Sequence, residues 1–145
     1  MEADAGGVEV GHSKKIWDLM ARPRPALRLI DPASGRELAN SIEVPRTSLG
    51  RGLGLMFRRE LPPGHAMWIK PCNGIHMFYM NFAIDALFLD RAERVVRVYR
   101  RLGRWRMVPL VWGAHSVVEL PAGALEGVKL ERGHQLEFVP LNGQA

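Results

Sequence analysis

The chain holds one cysteine, Cys72, so no disulfide can form within it and the fold must rest on its core. That suits a reducing compartment. Long apolar runs are also missing. Stretches such as Ala66–Ile69 and Val108–Trp112 are far too short to span a bilayer. Residues 1–15 are polar and lack the apolar core of a secretory signal, so the sequence reads as cytoplasmic. Repeats and low-complexity tracts are absent, which argues against repeat architectures. Metal-ligand spacing is lacking too. Cys72 with His12, His65, His115 and His134 shows none of the paired spacings of a zinc site, so neither metal nor cofactor is expected.

What remains is an ordinary globular composition, 47% hydrophobic and 24% charged, in 145 residues. This length suits one domain. Residues 1–24, broken by Pro23 and Pro25, read as a mobile arm, docked if anywhere at Trp17; residues 25–141 read as a single β-rich domain. The net charge of +5 is unevenly spread. Between Arg91 and Arg106 seven arginines face one glutamate, a surplus of six, which leaves the rest of the chain at −1.

Alternating Leu27 and Leu29, the turn formers Asp31 to Gly35, and Ile42 with Val44 predict a first hairpin over 26–44. Leu49, Leu53 and Phe57 recur at helical spacing, with Thr47 or Ser48 as cap, and predict one short helix within 47–59. Asn73-Gly74 between two apolar runs predicts a hairpin of strands 66–72 and 75–80. Ile84–Leu89 is apolar on both faces and reads as a buried central strand. A turn over Asp90–Glu93, a return strand from Arg94, and strands over 117–120 and 135–139 complete a mainly β fold. It should be sandwich-like, jelly-roll-like or barrel-like.

Several blocks in order resemble a known family. They are Arg51-x-x-Gly54-Leu55-Met56-Phe57-Arg58, then Cys72-x-x-Ile75-His76-x-Phe78-x-Met80, then Ile84-Asp85-x-x-Phe88-Leu89-Asp90, and Glu119-Leu120-Pro121-Ala122-Gly123 with Gly133. Together they resemble the domain-of-unknown-function 192 family over about residues 36–139. The resemblance implies a compact β-sandwich or jelly-roll-like domain and no established reaction, cofactor or catalytic residue. Two positions depart from it: Met77 stands where Thr is common, and His134 where Asp commonly follows the glycine. Ligand chemistry at either position would differ accordingly.

Several constellations invite chemistry. Cys72 and His76 would make a thiolate–imidazole pair, but in a two-residue hairpin they fall on opposite faces, so a buried thiol and a strand histidine are the better reading. Gly50, Gly52 and Gly54 match no phosphate-loop pattern and read as close packing. Arg51, Arg58, Asp85 and Glu119 form the most suggestive set. Asp85 inside an apolar strand needs compensation, and Arg51 and Arg58 lie near one helical face, so a structural ion pair is expected. The functional alternative is a polar pocket in which the arginines hold an anionic group and Asp85 or Glu119 acts as acid or base, as in a hydrolase. The basic strip Arg91–Arg106, with Tyr99 and Trp105, reads as a solvated hairpin. At most it is a weak binder of nucleic acid or an anionic surface, specific nucleic-acid recognition being disfavoured. A protein partner could instead meet the loop Arg100–Leu110. The sequence thus points to a binding or accessory module for a small anionic ligand or a protein.

Overall fold

A computed structural model describes residues 27–141; the expected N-terminal arm lies outside them. Alternation from Leu27 onward builds the first hairpin, β1 (Leu27–Asp31) and β2 (Arg36–Glu43), paired antiparallel. Asp31 shapes its turn by accepting from the Ala33 amide (3.1 Å) and the Ser34 hydroxyl (2.7 Å). Seven further strands follow: β3 (His65–Ile69), β4 (Ile75–His76), β5 (Ile84–Leu89), β6 (Val95–Leu102), β7 (Met107–Val108), β8 (Ser116–Pro121) and β9 (Glu137–Pro140).

Seven strands form one sheet in the order β6-β5-β8-β3-β2-β1-β9, with only β2 and β3 parallel; β4 and β7 make a separate ribbon. The sheet is strongly curled. Trp68 on β3 stacks on Phe138 of β9 at 3.7 Å, although three strand spacings, about 14 Å if flat, separate them. Near the two ends of the sheet, the Val95 amide donates to His134 O and the Leu136 amide to Glu93 O. The result is a half-barrel, a mainly β fold as the sequence predicts.

Both faces of this sheet are buried. The inner face carries Trp68, Leu87, Leu89, Val118 and Leu120, filled by Leu29, Leu125 and Leu136. The outer face carries Met67, Ile69, Ala86, Phe88 and Val117, and Leu55, Met77, Met80, Val108 and Val111 close over it. This explains why β5 is buried at all six positions. The covering side chains come from three segments, near 53–61, 70–82 and 104–114, stitched by backbone bonds. Phe57 N donates to Tyr79 O, Met77 N to Arg106 O and Trp105 N to Met77 O.

Two local expectations are corrected. The helix α1 (Ser48–Leu53) does form, with Thr47 Oγ1 accepting from the Gly50 amide at 2.9 Å. Its predicted stripe is not the packed face, however: Leu53 and Phe57 are exposed and Leu55, just past the helix, is the buried anchor. The chain turns at Gly54 before the stripe can matter. The Asn73-Gly74 hairpin does not form. β3 is taken on both sides by β2 and β8, so the strand after Gly74 pairs with β7 instead.

Gly74 is needed for approach rather than for turning. A Cβ there would lie 2.5 Å from the Pro109 carbonyl oxygen and 2.8 Å from that of Val108. Gly74→Ala should therefore push the two covering segments apart and cost about 1–3 kcal/mol, the range of overpacking. Thermal unfolding checks this, and an unchanged midpoint would contradict the packing described.

Candidate functional site

Strand alternation divides the residues singled out from sequence. Across neighbouring strands, Asp85 pairs with Leu120 and Ala86 with Glu119. Asp85 therefore faces inward with Leu87 and Leu89, whereas Glu119 faces outward under the covering segments. The expected ion pair between Asp85 and a helix arginine gives way to amide bonds. Its Oδ1 accepts from Arg101 N (2.8 Å) and its Oδ2 from Leu125 N (2.9 Å), which pins the 121–128 loop and the end of β6. Arg58 turns instead to Glu43 on the opposite side of the sheet, with Nη1 2.8 Å from Oε2.

A different polar set emerges on the outer face. Glu43, Met67 and Glu119 occupy one row across β2, β3 and β8. Both glutamates are buried beneath Arg58, and Arg51 sits in the last turn of α1 nearby in sequence. The Arg58–Glu43 contact is an ion pair without hydrogen-bond alignment, and Glu119 Oε2 has no hydrogen-bond partner among the described residues. Burial pushes the Glu119 carboxyl up to about 7, with the Arg58 charge opposing that rise. Glu119 reaches close to the Gly54 backbone: a Cβ on Gly54 would sit 3.7 Å from its Oε2. Such a group can hold or release a proton near neutrality, but it is 6% exposed and reachable only by displacing the cover.

Cys72 and His76 are engaged separately. The Cys72 thiol donates to Gly74 O at 3.0 Å, and burial, with the Glu119 charge adding to it, pushes its pKa up. His76 Nδ1 accepts from Phe78 N at 3.3 Å, and its ring stacks on Phe78. Met77 is buried in the core, and His134 Nε2 lies 2.7 Å from Asp31 Oδ1, so both departures from the family pattern have structural partners. Much of the basic strip is likewise occupied. Arg100 donates to the Leu125 and Val128 carbonyls, Arg101 pairs with Glu126 at 2.9 Å, and Arg104 Nε donates to Met80 O.

One feature escaped the sequence reading. Phe57, Tyr79 and Trp105 are 63%, 57% and 56% exposed, and all three have left-handed backbone, with φ of 63°, 59° and 63°. Their rings meet: Phe57 and Tyr79 at 5.6 Å, Tyr79 and Trp105 at 5.4 Å. Left-handed backbone costs an L-residue about 1–2 kcal/mol, and bulky side chains rarely adopt it. At Phe57 and Tyr79 the effect is to turn the ring outward while the next residue, Arg58 or Met80, packs in. No sequence signal marks this, because the three positions lie on three segments that meet only through the fold.

A half-barrel with a covering layer that displays aromatic rings is the class of protein defined so far. The family model for DUF192, described as an uncharacterized ACR, matches residues 30–138. The chain belongs to this DUF192 family. It is 31% identical to a UPF0127 protein of Pyrococcus abyssi over 117 residues, 77% of this chain and 97% of that one. A UPF0127 protein of Thermococcus kodakarensis is 27% identical over 118 residues, 77% and 73% of the two chains. The fold is similar to that of a Sinorhizobium meliloti protein described as a candidate transcription regulator. The TM-score is 0.68 and the identity 23%, covering 81% of this chain and 95% of that one. A Novosphingobium aromaticivorans protein of unknown function is also similar, with TM-score 0.66, identity 22%, and coverage of 79% and 84%. At that identity the likeness concerns the fold alone.

The outer-face acid generates a pH prediction. In the unfolded chain Glu119 titrates near 4.5, and in the folded protein near 7. Between those values the folded state holds a proton that the unfolded chain releases. The stability it contributes is thus complete below about pH 4.5 and is lost as pH rises through 7. Glu119→Gln should flatten this fall and raise the unfolding midpoint at pH 8, as followed by thermal unfolding across the range; a variant with the same pH slope as the parent would refute the assignment.

Proposed function

We propose that this protein is a binding module, and that its working surface is the exposed aromatic cluster of Phe57, Tyr79 and Trp105. The observation that carries this reading is the coincidence of three bulky rings, all more than half exposed, all on left-handed backbone and joined in a row through Tyr79. Local strain of about 1–3 kcal/mol per residue persists where surrounding structure holds it in place, and it clusters at ligand-contacting sites. Rings kept only for stability would be turned into the core, where Phe88 and Trp68 already lie. Aromatic side chains also offer large contact area at low conformational cost, which suits recognition.

A second reading rests on Glu119. Its buried Oε2, without a hydrogen-bond partner among the described residues and beside Arg58, supports acid–base work on an anionic substrate, the hydrolase-like alternative without Asp85. Binding is favoured because the aromatic surface is open while Glu119 lies sealed under Gly54 and Leu55.

Small organic probes locate binding surfaces without knowledge of the ligand. Titration with phenol and isopropanol, followed through backbone amide shifts, should perturb residues 57, 79 and 105 first. Perturbation concentrated at the open depression of Asp90, Arg91 and His115, with the cluster silent, would sink the reading.

A further inference from the structure

The aromatic cluster belongs to a larger layer with a distinctive charge. The covering chain, taken with its flanks as residues 45–64, 70–82 and 103–115, contains seven Lys and Arg and a single acid, Glu60. The two nearest sheet acids, Glu43 and Glu119, are buried beneath it. Arg59 and Arg106 are exposed in this layer. The same three segments also carry Leu53, Phe57, Tyr79, Trp105, Met107, Leu110 and Trp112, all the exposed large hydrophobics among the described residues except Leu141. Ring contacts run from Phe57 through Tyr79 and Trp105 to Phe78 and His76, and His76 pairs in register with Met107. Positive charge and exposed apolar surface therefore coincide on one layer rather than being scattered.

We propose that this layer docks the protein on an anionic lipid bilayer, with its rings and apolar tips at headgroup depth and its arginines on the lipid phosphates. The proposal deepens the reading of the cluster as a binding surface by naming its partner, and it rests on that reading. Trp and Tyr favour the bilayer interface because their amphipathic rings suit its graded polarity. Each basic side chain near an anionic leaflet adds about 1 kcal/mol. A single-stranded nucleic acid would also find arginines and rings here, since bases stack on aromatic faces. Leu53, Met107 and Leu110 decide between them: none offers a ring for a base, and a lipid interface accepts all three. Trp112, at 81% the most exposed of the set, has no stacking partner among the described rings and suits insertion. No helix among the described residues is long and apolar enough to cross a membrane, so the proposed contact lies on the surface.

The test is co-sedimentation of the full chain with vesicles, in physiological salt, of phosphatidylcholine and phosphatidylserine in equal parts and of phosphatidylcholine alone. The protein should partition onto the anionic vesicles and at least roughly tenfold less onto the neutral ones. Arg59→Gln with Arg106→Gln should weaken anionic partitioning by roughly tenfold or more. Trp105→Ser with Trp112→Ser should weaken it comparably, with unfolding midpoints near the parent's because all four side chains are exposed. Failure to partition, equal partitioning onto both vesicles, or indifference to both variant pairs would overturn the proposal. So would tight binding of a single-stranded oligothymidylate without vesicle binding, which would assign the layer to nucleic acid. Should partitioning fail while phenol and isopropanol still map to residues 57, 79 and 105, the bilayer is wrong and the binding surface stands.

Discussion

Two carboxylates, Glu43 and Glu119, lie in one row of a sheet face that is otherwise apolar, and the Arg58 guanidinium is set over them. The outer core depends on that arrangement. A buried charge without compensation costs several kcal/mol, and removing one partner of a buried pair typically costs about 3–5 kcal/mol. Arg58 meets this demand from the covering segment, so the electrostatic need of the sheet becomes a tether for the cover. The Arg58 carbonyl then accepts from Asn81 Nδ2 at 2.8 Å, passing the constraint to the next segment. Glu119 keeps a raised proton affinity because burial disfavours its charged form more than the Arg58 charge favours it.

With that tether in place, the molecule divides its labour by face. The inner face is a closed core, and Asp85 belongs to it as an anchor for two backbone amides. On the outer side, the covering segments pack inward through Leu55, Met77 and Val108 and project outward through Phe57, Tyr79 and Trp105. Left-handed backbone at Phe57 and Tyr79 reverses direction between each ring and the residue that follows it. Stability and display are thus supplied by adjacent residues of the same segments, which is why a variant in the cover can alter the surface without reaching the sheet.

Features set by local pattern were legible in the sequence. The hairpin of β1 and β2 follows from alternation around a dense turn, α1 from its Thr47 cap, and β5 from an uninterrupted apolar run. The family resemblance rests on ordered blocks and proved correct. Features set by pairing between distant strands were hidden. Asn73-Gly74 has the chemistry of a tight turn, yet β3 was already committed to β2 and β8, so the glycine serves close approach instead. Asp85 called for a partner, and the sequence offered arginines, but the one-residue offset between Asp85–Leu120 and Ala86–Glu119 put Arg58 and Asp85 on opposite faces. Arg58 and Glu119, both marked in the sequence, do meet on the outer face, whereas Glu43 was missed because only strand register reveals it as their neighbour. The aromatic cluster had no local signature at all.

The central claim is that Arg58, over the Glu43–Glu119 row, fastens the cover to the sheet. Hydrogen exchange on Arg58→Met, a variant that keeps the apolar stem and removes the charge, tests this most directly. Amides of Phe57, Met77 and Trp105, which bond across the cover, should lose protection more strongly than those of β5 and β8. Equal loss across cover and sheet, or no loss in either, would contradict the account.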